Sequence, residues 1–174
     1  MITVISGTNK KNSLTRQVAA IYTKHLQAAG NEVKQLLLEE LDYSFISAEM
    51  FSKRPQYITR LQEDYFNSAS FFVFVVPEYN GSFPGILKVL LDTFDVKPAF
   101  ENKKAALVGV ATGRAGNLRG LDHLTSILQH MHVTVIPGHV LISRAKEELD
   151  ANGNLIHEST LNTVTRHIGK ITGA

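Results

Sequence analysis

The 174-residue sequence has no cysteine, which excludes disulfide frameworks, thiolate zinc sites and cysteine nucleophiles and leaves the redox compartment unconstrained by thiol chemistry. No apolar run approaches the roughly 20 residues needed to cross a bilayer. The N-terminus, Met1-Ile2-Thr3-Val4-Ile5-Ser6, turns polar at once and lacks the basic and long apolar regions of a signal peptide. A net charge of +2 comes with no basic block that would advertise nucleic acid or an acidic surface. These absences point to a cytoplasmic enzyme or binding protein with neither nucleic-acid nor membrane partners.

Several chemical motifs are missing too. The seven histidines include no HExxH, and His123, His130, His132 and His139 fall without ligand spacing, so no metal site is expected. Ser82 lacks the flanking glycines of a nucleophile elbow, with Asn80 and Pro84 in their places. After Gly7 the chain reads Thr8-Asn9-Lys10-Lys11-Asn12-Ser13. That is neither a Walker A loop nor a dinucleotide fingerprint, and one phosphate suits it better than two.

What is present is an ordinary globular composition, 44% hydrophobic and 20% charged, in a chain long enough to bury roughly 70% of its unfolded surface as one domain spanning residues 1–174. Ile2 to Ser6 reads as a strand. A helix follows from Leu14, capped by Asn12 or Ser13 and stopped by Gly30, and Glu32 to Leu38 is a second strand. Residues 39–56 are irregular yet apolar, with Leu41, Tyr43, Phe45, Ile46, Met50 and Phe51. Such a segment either folds back on its own domain or covers a ligand or partner.

Gln56 to Ser68 has helical spacing, and Phe71 to Pro77 is an uncharged third strand suited to burial on both faces. Pro84 suits the first turn of a helix whose stripe is Phe83, Leu87, Leu90, Leu91 and Phe94, with Lys88, Asp92 and Asp95 opposite and Pro98 closing the segment. Ala105 to Ala111 is a fourth strand, Leu118 to Leu128 a helix, and His132 to Ile136 a fifth strand that Pro137-Gly138 interrupts and Val140 to Ile142 extends. A turn at Asn152-Gly153 precedes a closing helix.

Five strands alternating with helices predict an α/β doubly wound parallel sheet of order 2-1-3-4-5. Its ligand edge is where winding reverses, so the loops at 7–13, 77–83 and 112–117 should converge. The first reads either as an anion site at a helix N-terminus, with Thr8, Asn9, Lys10 and Ser13 adding donors, or as a plain capped βα turn with solvated lysines. In the second, Pro77-Glu78-Tyr79-Asn80-Gly81-Ser82-Phe83-Pro84-Gly85-Ile86-Leu87-Lys88 closely resembles the signature of the flavodoxin-like NAD(P)H-dependent FMN reductases, which include azoreductases and quinone reductases.

The resemblance implies a flavodoxin-like three-layer sandwich that binds FMN noncovalently, with NADPH or NADH as co-substrate. A quinone, azo compound, free flavin or similar small molecule is the acceptor, and the assembly is a homodimer or homotetramer. On matching positions it assigns Thr8, Lys10, Ser13 and Leu14 to the phosphate loop. Pro77, Glu78, Tyr79, Asn80 and Gly81, with Thr112 and Gly113, go to the flavin ring. No catalytic side chain is implied, since the flavin carries the hydride chemistry. Two departures stand out: Lys10 replaces the usual arginine, and the third loop spaces its glycines, with Arg114 and Asn117 following them. An electron-carrying flavodoxin or a non-catalytic FMN-binding module shares the fold, but carriers are typically acidic and this chain is slightly basic.

Overall fold

β3 (Phe71–Pro77) is buried along its whole length up to Pro77, and every residue before that proline is apolar. In the computed structural model, which describes residues 1–173, it occupies the middle of the sheet. β1 (Ile2–Ser6) pairs with it on one side and β4 (Lys104–Val110) on the other, while β2 (Val33–Leu37) lies outside β1, all parallel. The order is the expected 2-1-3-4-5.

The fifth position is split. β5 (Thr134–Val135) and β6 (Val140–Ile142) both pair with β4, and five residues of this edge advance opposite three of β4. Pro137 has no N–H for the ladder and sits with Gly138 in that excess, so the strand bulges out and rejoins. The sheet therefore has six strands by count and five by position.

Side-chain alternation along the strands builds two cores. Phe72, Phe74 and Val76 join Ile5 and Leu107 against α2 (Gln56–Leu61), α3 (Gly85–Thr93) and α5 (Leu118–His130). Val73, Val75, Val4, Ala106 and Val108 face α1 (Leu14–Ala28) and α7 (Glu158–Thr172), through Val18, Tyr22, Leu26, Val164 and Ile168. Burying each large apolar side chain stabilises the fold by about 1.5–3 kcal/mol, so covering both faces dominates the energetics.

Local details correct the sequence reading in three places. Residues Gln62–Asn67 continue α2 as a π-helical stretch, in which the Ser68 N–H reaches the Glu63 carbonyl. The widened turn frees carbonyls that side chains take up: Thr3 donates to Tyr65 O at 2.6 Å and Lys103 to Phe66 O and Asn67 O. Pro84 is the N-cap residue of α3 rather than its first turn, and α3 ends at Thr93. Pro98 does not close that segment but lies inside α4 (Val96–Ala99), where a first-turn residue needs no N–H, and Asp95 precedes α4, its carboxylate paired with Arg54, instead of lining α3.

The apolar segment after β2 folds back on its own core. Phe45 and Met50 are buried, Tyr43 donates to Leu38 O, and Arg54 ties Gln62, the Thr93 carbonyl and Asp95 together. Ile46 and Phe51 stay exposed. Among the described residues no helix is long and apolar enough to cross a membrane.

Candidate functional site

Ser6 lies beside Val75, and Pro77 beside Val110, so the loops leaving β1, β3 and β4 emerge at one edge. The first loop is shaped by Asn12, whose φ of +53° turns the chain into α1; asparagine tolerates this left-handed region better than most side chains. Ser13 then caps the helix, its Oγ accepting from the Arg16 N–H at 3.2 Å. The N–H groups of Leu14 and Thr15 have no carbonyl a turn earlier to meet, which leaves donors at a positive helix end. Thr8 is fully buried, and its Oγ1 accepts from the Lys10 N–H at 3.2 Å.

The second loop is a tight two-residue hairpin. Tyr79 N–H donates to Ser82 O at 2.8 Å and Ser82 N–H to Tyr79 O at 3.1 Å, while Asn80 and Gly81 take φ of +51° and +77°. This is the primed turn for which Asn-Gly is the favoured pair, since both central residues are left-handed. Its geometry leaves the N–H groups of Asn80 and Gly81 outside the mutual bonds. The Tyr79 hydroxyl reaches back to Thr8 Oγ1 at 2.7 Å and so links the first loop to the second.

α5 braces the hairpin. His123 Nδ1 lies 2.9 Å from Ser82 Oγ, and the Arg119 guanidinium lies so close to Gly81 that a Cβ there would be 2.9 Å from Nη1. Beneath it, buried Asn117 donates from Nδ2 to Val76 O at 3.2 Å and Pro77 O at 2.9 Å, fixing the end of β3. The third loop folds down onto β4, with the Gly116 carbonyl oxygen in the space a Cβ of Gly109 would occupy.

A cavity of about 270 Å³ opens where the loops meet. It is lined by Thr8, Lys10, Asn12, Ser13, Leu14 and Thr15 from the first loop and helix, Pro77, Glu78 and Tyr79 from the second, Val110, Ala111 and Thr112 from the third, and Lys146. The structure thus gathers Thr8, Lys10, Ser13, Leu14, Pro77, Glu78, Tyr79 and Thr112 into one wall. Asn80 and Gly81 form the hairpin tip instead, and Gly113 lies outside the cavity with nothing within 4 Å of its Cβ direction. Asn12 was legible only as a cap; Thr15, Val110, Ala111, Lys146 and the supporting Asn117 were not singled out as site residues by the sequence.

A larger cleft, about 710 Å³, lies at the end of β2 and shares Asn12 with this cavity. Its wall includes the ion pair between Arg16 and Glu39, so Glu39 is a structural carboxylate. Size does not make it the site, because the second and third loops do not reach it.

Residues 1–147 match the family described as NADPH-dependent FMN reductase. The chain belongs to this family. Among curated relatives, the NAD(P)H-dependent FMN reductase PA1204 of Pseudomonas aeruginosa is 31% identical over 66% of this chain, and the match spans 63% of that relative's length. The 2-hydroxy-1,4-benzoquinone reductase of a Burkholderia species is 24% identical over 91% of this chain and 87% of its own. The structure of FerB, a flavoenzyme NAD(P)H:(acceptor) oxidoreductase from Paracoccus denitrificans, superposes with a TM-score of 0.81 at 21% identity, covering 99% of this chain and 94% of that one. That likeness establishes the flavodoxin-like fold. The family's cofactor is FMN and its reductant NAD(P)H. The donor set suits FMN: unpaired helix N–H groups, a hydroxyl and an ammonium at one end, and a phenol with a tight amide turn at the other.

Proposed function

We propose that the chain, as one FMN-binding domain over residues 1–174, is an NAD(P)H-dependent oxidoreductase that uses bound FMN to reduce a small-molecule acceptor such as a quinone, azo compound or free flavin. The observation that supports this most is the convergence of phosphate-type donors and the Pro77-Glu78-Tyr79 corner on one cavity. FMN, when bound, supplies hydride acceptance and onward electron transfer.

The protein's part is placement. Leu14 and Thr15 amides, the Thr8 and Ser13 hydroxyls and the Lys10 ammonium would hold the dianionic phosphate at the start of α1. Lysine keeps the charge that an arginine would bring but not the bidentate fork. The hairpin tip leaves the Asn80 and Gly81 N–H groups free to donate to the ring's polar edge, and Tyr79, held by its bond to Thr8, would flank the ring. Thr112 and Gly113 form the opposite rim, and open space at Gly113 leaves room for a co-substrate beside the ring. Arg114, exposed on the same rim, is available to an anionic co-substrate.

We propose further that the protein is a cytoplasmic homodimer or homotetramer, the assembly alone being supported by Phe51, 70% exposed, and Ile46, 45% exposed, on the segment after β2. Light scattering of the purified protein checks the assembly, and a monomer at micromolar concentration contradicts it. For activity, steady-state oxidation of NADH and NADPH by FMN-loaded protein is measured against quinone, azo and flavin acceptors. Turnover with at least one acceptor is the expected result, and oxidation no faster than the oxygen background with all of them sinks the proposal.

A further inference from the structure

We propose that Lys146 is a second phosphate-binding cation of this cavity and sets the preference for phosphorylated over unphosphorylated flavin, an inference that rests on the FMN reading above. Lys146 comes from the short helix α6 (Ala145–Glu148), an element the sequence pattern does not announce. Its place is nonetheless well determined.

Three hydrogen bonds stitch the corner before α6 to the third loop. Arg144 N–H donates to Gly113 O at 2.9 Å, Ala145 N–H to Ala111 O at 2.9 Å, and Ser143 Oγ to Arg114 O at 2.7 Å. Arg144 takes φ of +48° to make the turn, and Ala145 is fully buried beneath it. The next residue, Lys146, is exposed and lines the cavity wall that also carries Val110, Ala111 and Thr112. The first loop and the β6–α6 corner thus each bring one lysine to the same space.

The charges around these lysines leave both ammonium groups uncompensated. Among the described residues no carboxylate lies within 4 Å of Lys10 or Lys146, and the neighbouring Glu147 is 3.9 Å from Arg144. Among the described residues Glu78 is the single carboxylate on the cavity wall, and it belongs to the second loop rather than to the first loop or the β6–α6 corner that bring the lysines. A dianionic phosphate between Lys10 and Lys146 would satisfy both cations, whereas riboflavin carries no group for either. Lys10 alone, without the arginine usual at its position, holds a phosphate less firmly than the family pattern. Lys146 supplies a second cation from another element, where the bidentate contact is lost.

The test compares the dissociation constants of FMN and riboflavin, read by quenching of flavin fluorescence, for wild-type protein, Lys146→Gln and Lys146→Arg, with circular dichroism confirming the fold. The expected result is FMN bound about tenfold more weakly by Lys146→Gln, with riboflavin unchanged within about twofold, a shallower salt dependence of FMN binding, and recovery in Lys146→Arg. Equal weakening of both flavins, or no change for FMN, overturns the assignment. Failure of the wild-type protein to bind either flavin overturns the FMN reading itself and this inference with it, and is distinguishable because it needs no variant.

Discussion

Acidification tests a buried pair on the α1/α7 face of the sheet, neither member of which lines the cavity between the three loops. The Tyr22 hydroxyl lies 2.8 Å from His167 Nδ1, both residues are buried, and among the described residues His167 Nε2 has no partner. Burial pushes the Tyr22 phenol far above its ordinary value, so it stays protonated beside the imidazole. Burial, aided by Lys170 and His139, pulls His167 down from 6.5 to about 4. The neutral imidazole is thus favoured in the fold and the charged one in the unfolded chain. Above about pH 6.5 both states are neutral and the full stability is present; as pH falls, the unfolded chain takes up a proton that the fold refuses until about pH 4.

The whole gap corresponds to about 3 kcal/mol, of which about 2.5 kcal/mol should be lost between about pH 7.5 and about pH 4.5. For a chain of this length that lowers the melting temperature by about 5 to 10 °C. The assay is urea unfolding of wild-type protein and His167→Gln across that range, with the difference between the two curves isolating this residue from His139 and the carboxylates. If the two stabilities run parallel with pH, His167 is not held neutral by the fold and the reasoning is refuted.

Other consequences bear on the site. Replacing Tyr79 by Phe and Asn80 by Ala together should weaken FMN binding by about tenfold or more, since it removes both the Thr8 tether and the left-handed turn residue; unchanged affinity in a fluorescence titration means the hairpin does not place the ring. Asn117→Ala should cost about 2–3 kcal/mol in urea unfolding, because the Val76 and Pro77 carbonyls lose their donor and an alanine must take φ of +67°. Gly109→Ala should destabilise the protein by about 2 kcal/mol or more and weaken FMN binding by displacing the third loop; a wild-type melting temperature would show that the Gly116 carbonyl yields easily.

The order of strands was legible because β3 and β4 are buried on both faces and read as apolar runs, with helices of clear period between them. The Asn-Gly pair was legible as part of a motif whose backbone amides could face a ring, but the hairpin it makes was not. Only the paired Tyr79 and Ser82 bonds show a hairpin that frees two amides. Lys146 and Asn117 were hidden for a different reason. Each reaches the site through tertiary contacts, one by a corner stitched to a loop thirty residues earlier and one from the end of a loop onto a neighbouring strand. Local pattern carries no trace of such contacts. Pro98 misled because a proline reads as a stop, yet the first turn of a new helix accommodates it equally well.

The central claim is that this cavity holds an FMN reducible by a nicotinamide nucleotide. Anaerobic stopped-flow mixing of FMN-loaded protein with NADH or NADPH tests it most directly. Rapid bleaching of the bound flavin's visible absorbance at a stoichiometry of about one FMN per chain is the predicted result. A protein that stays colourless after incubation with FMN, or whose bound flavin keeps its absorbance with both nucleotides, would contradict the account.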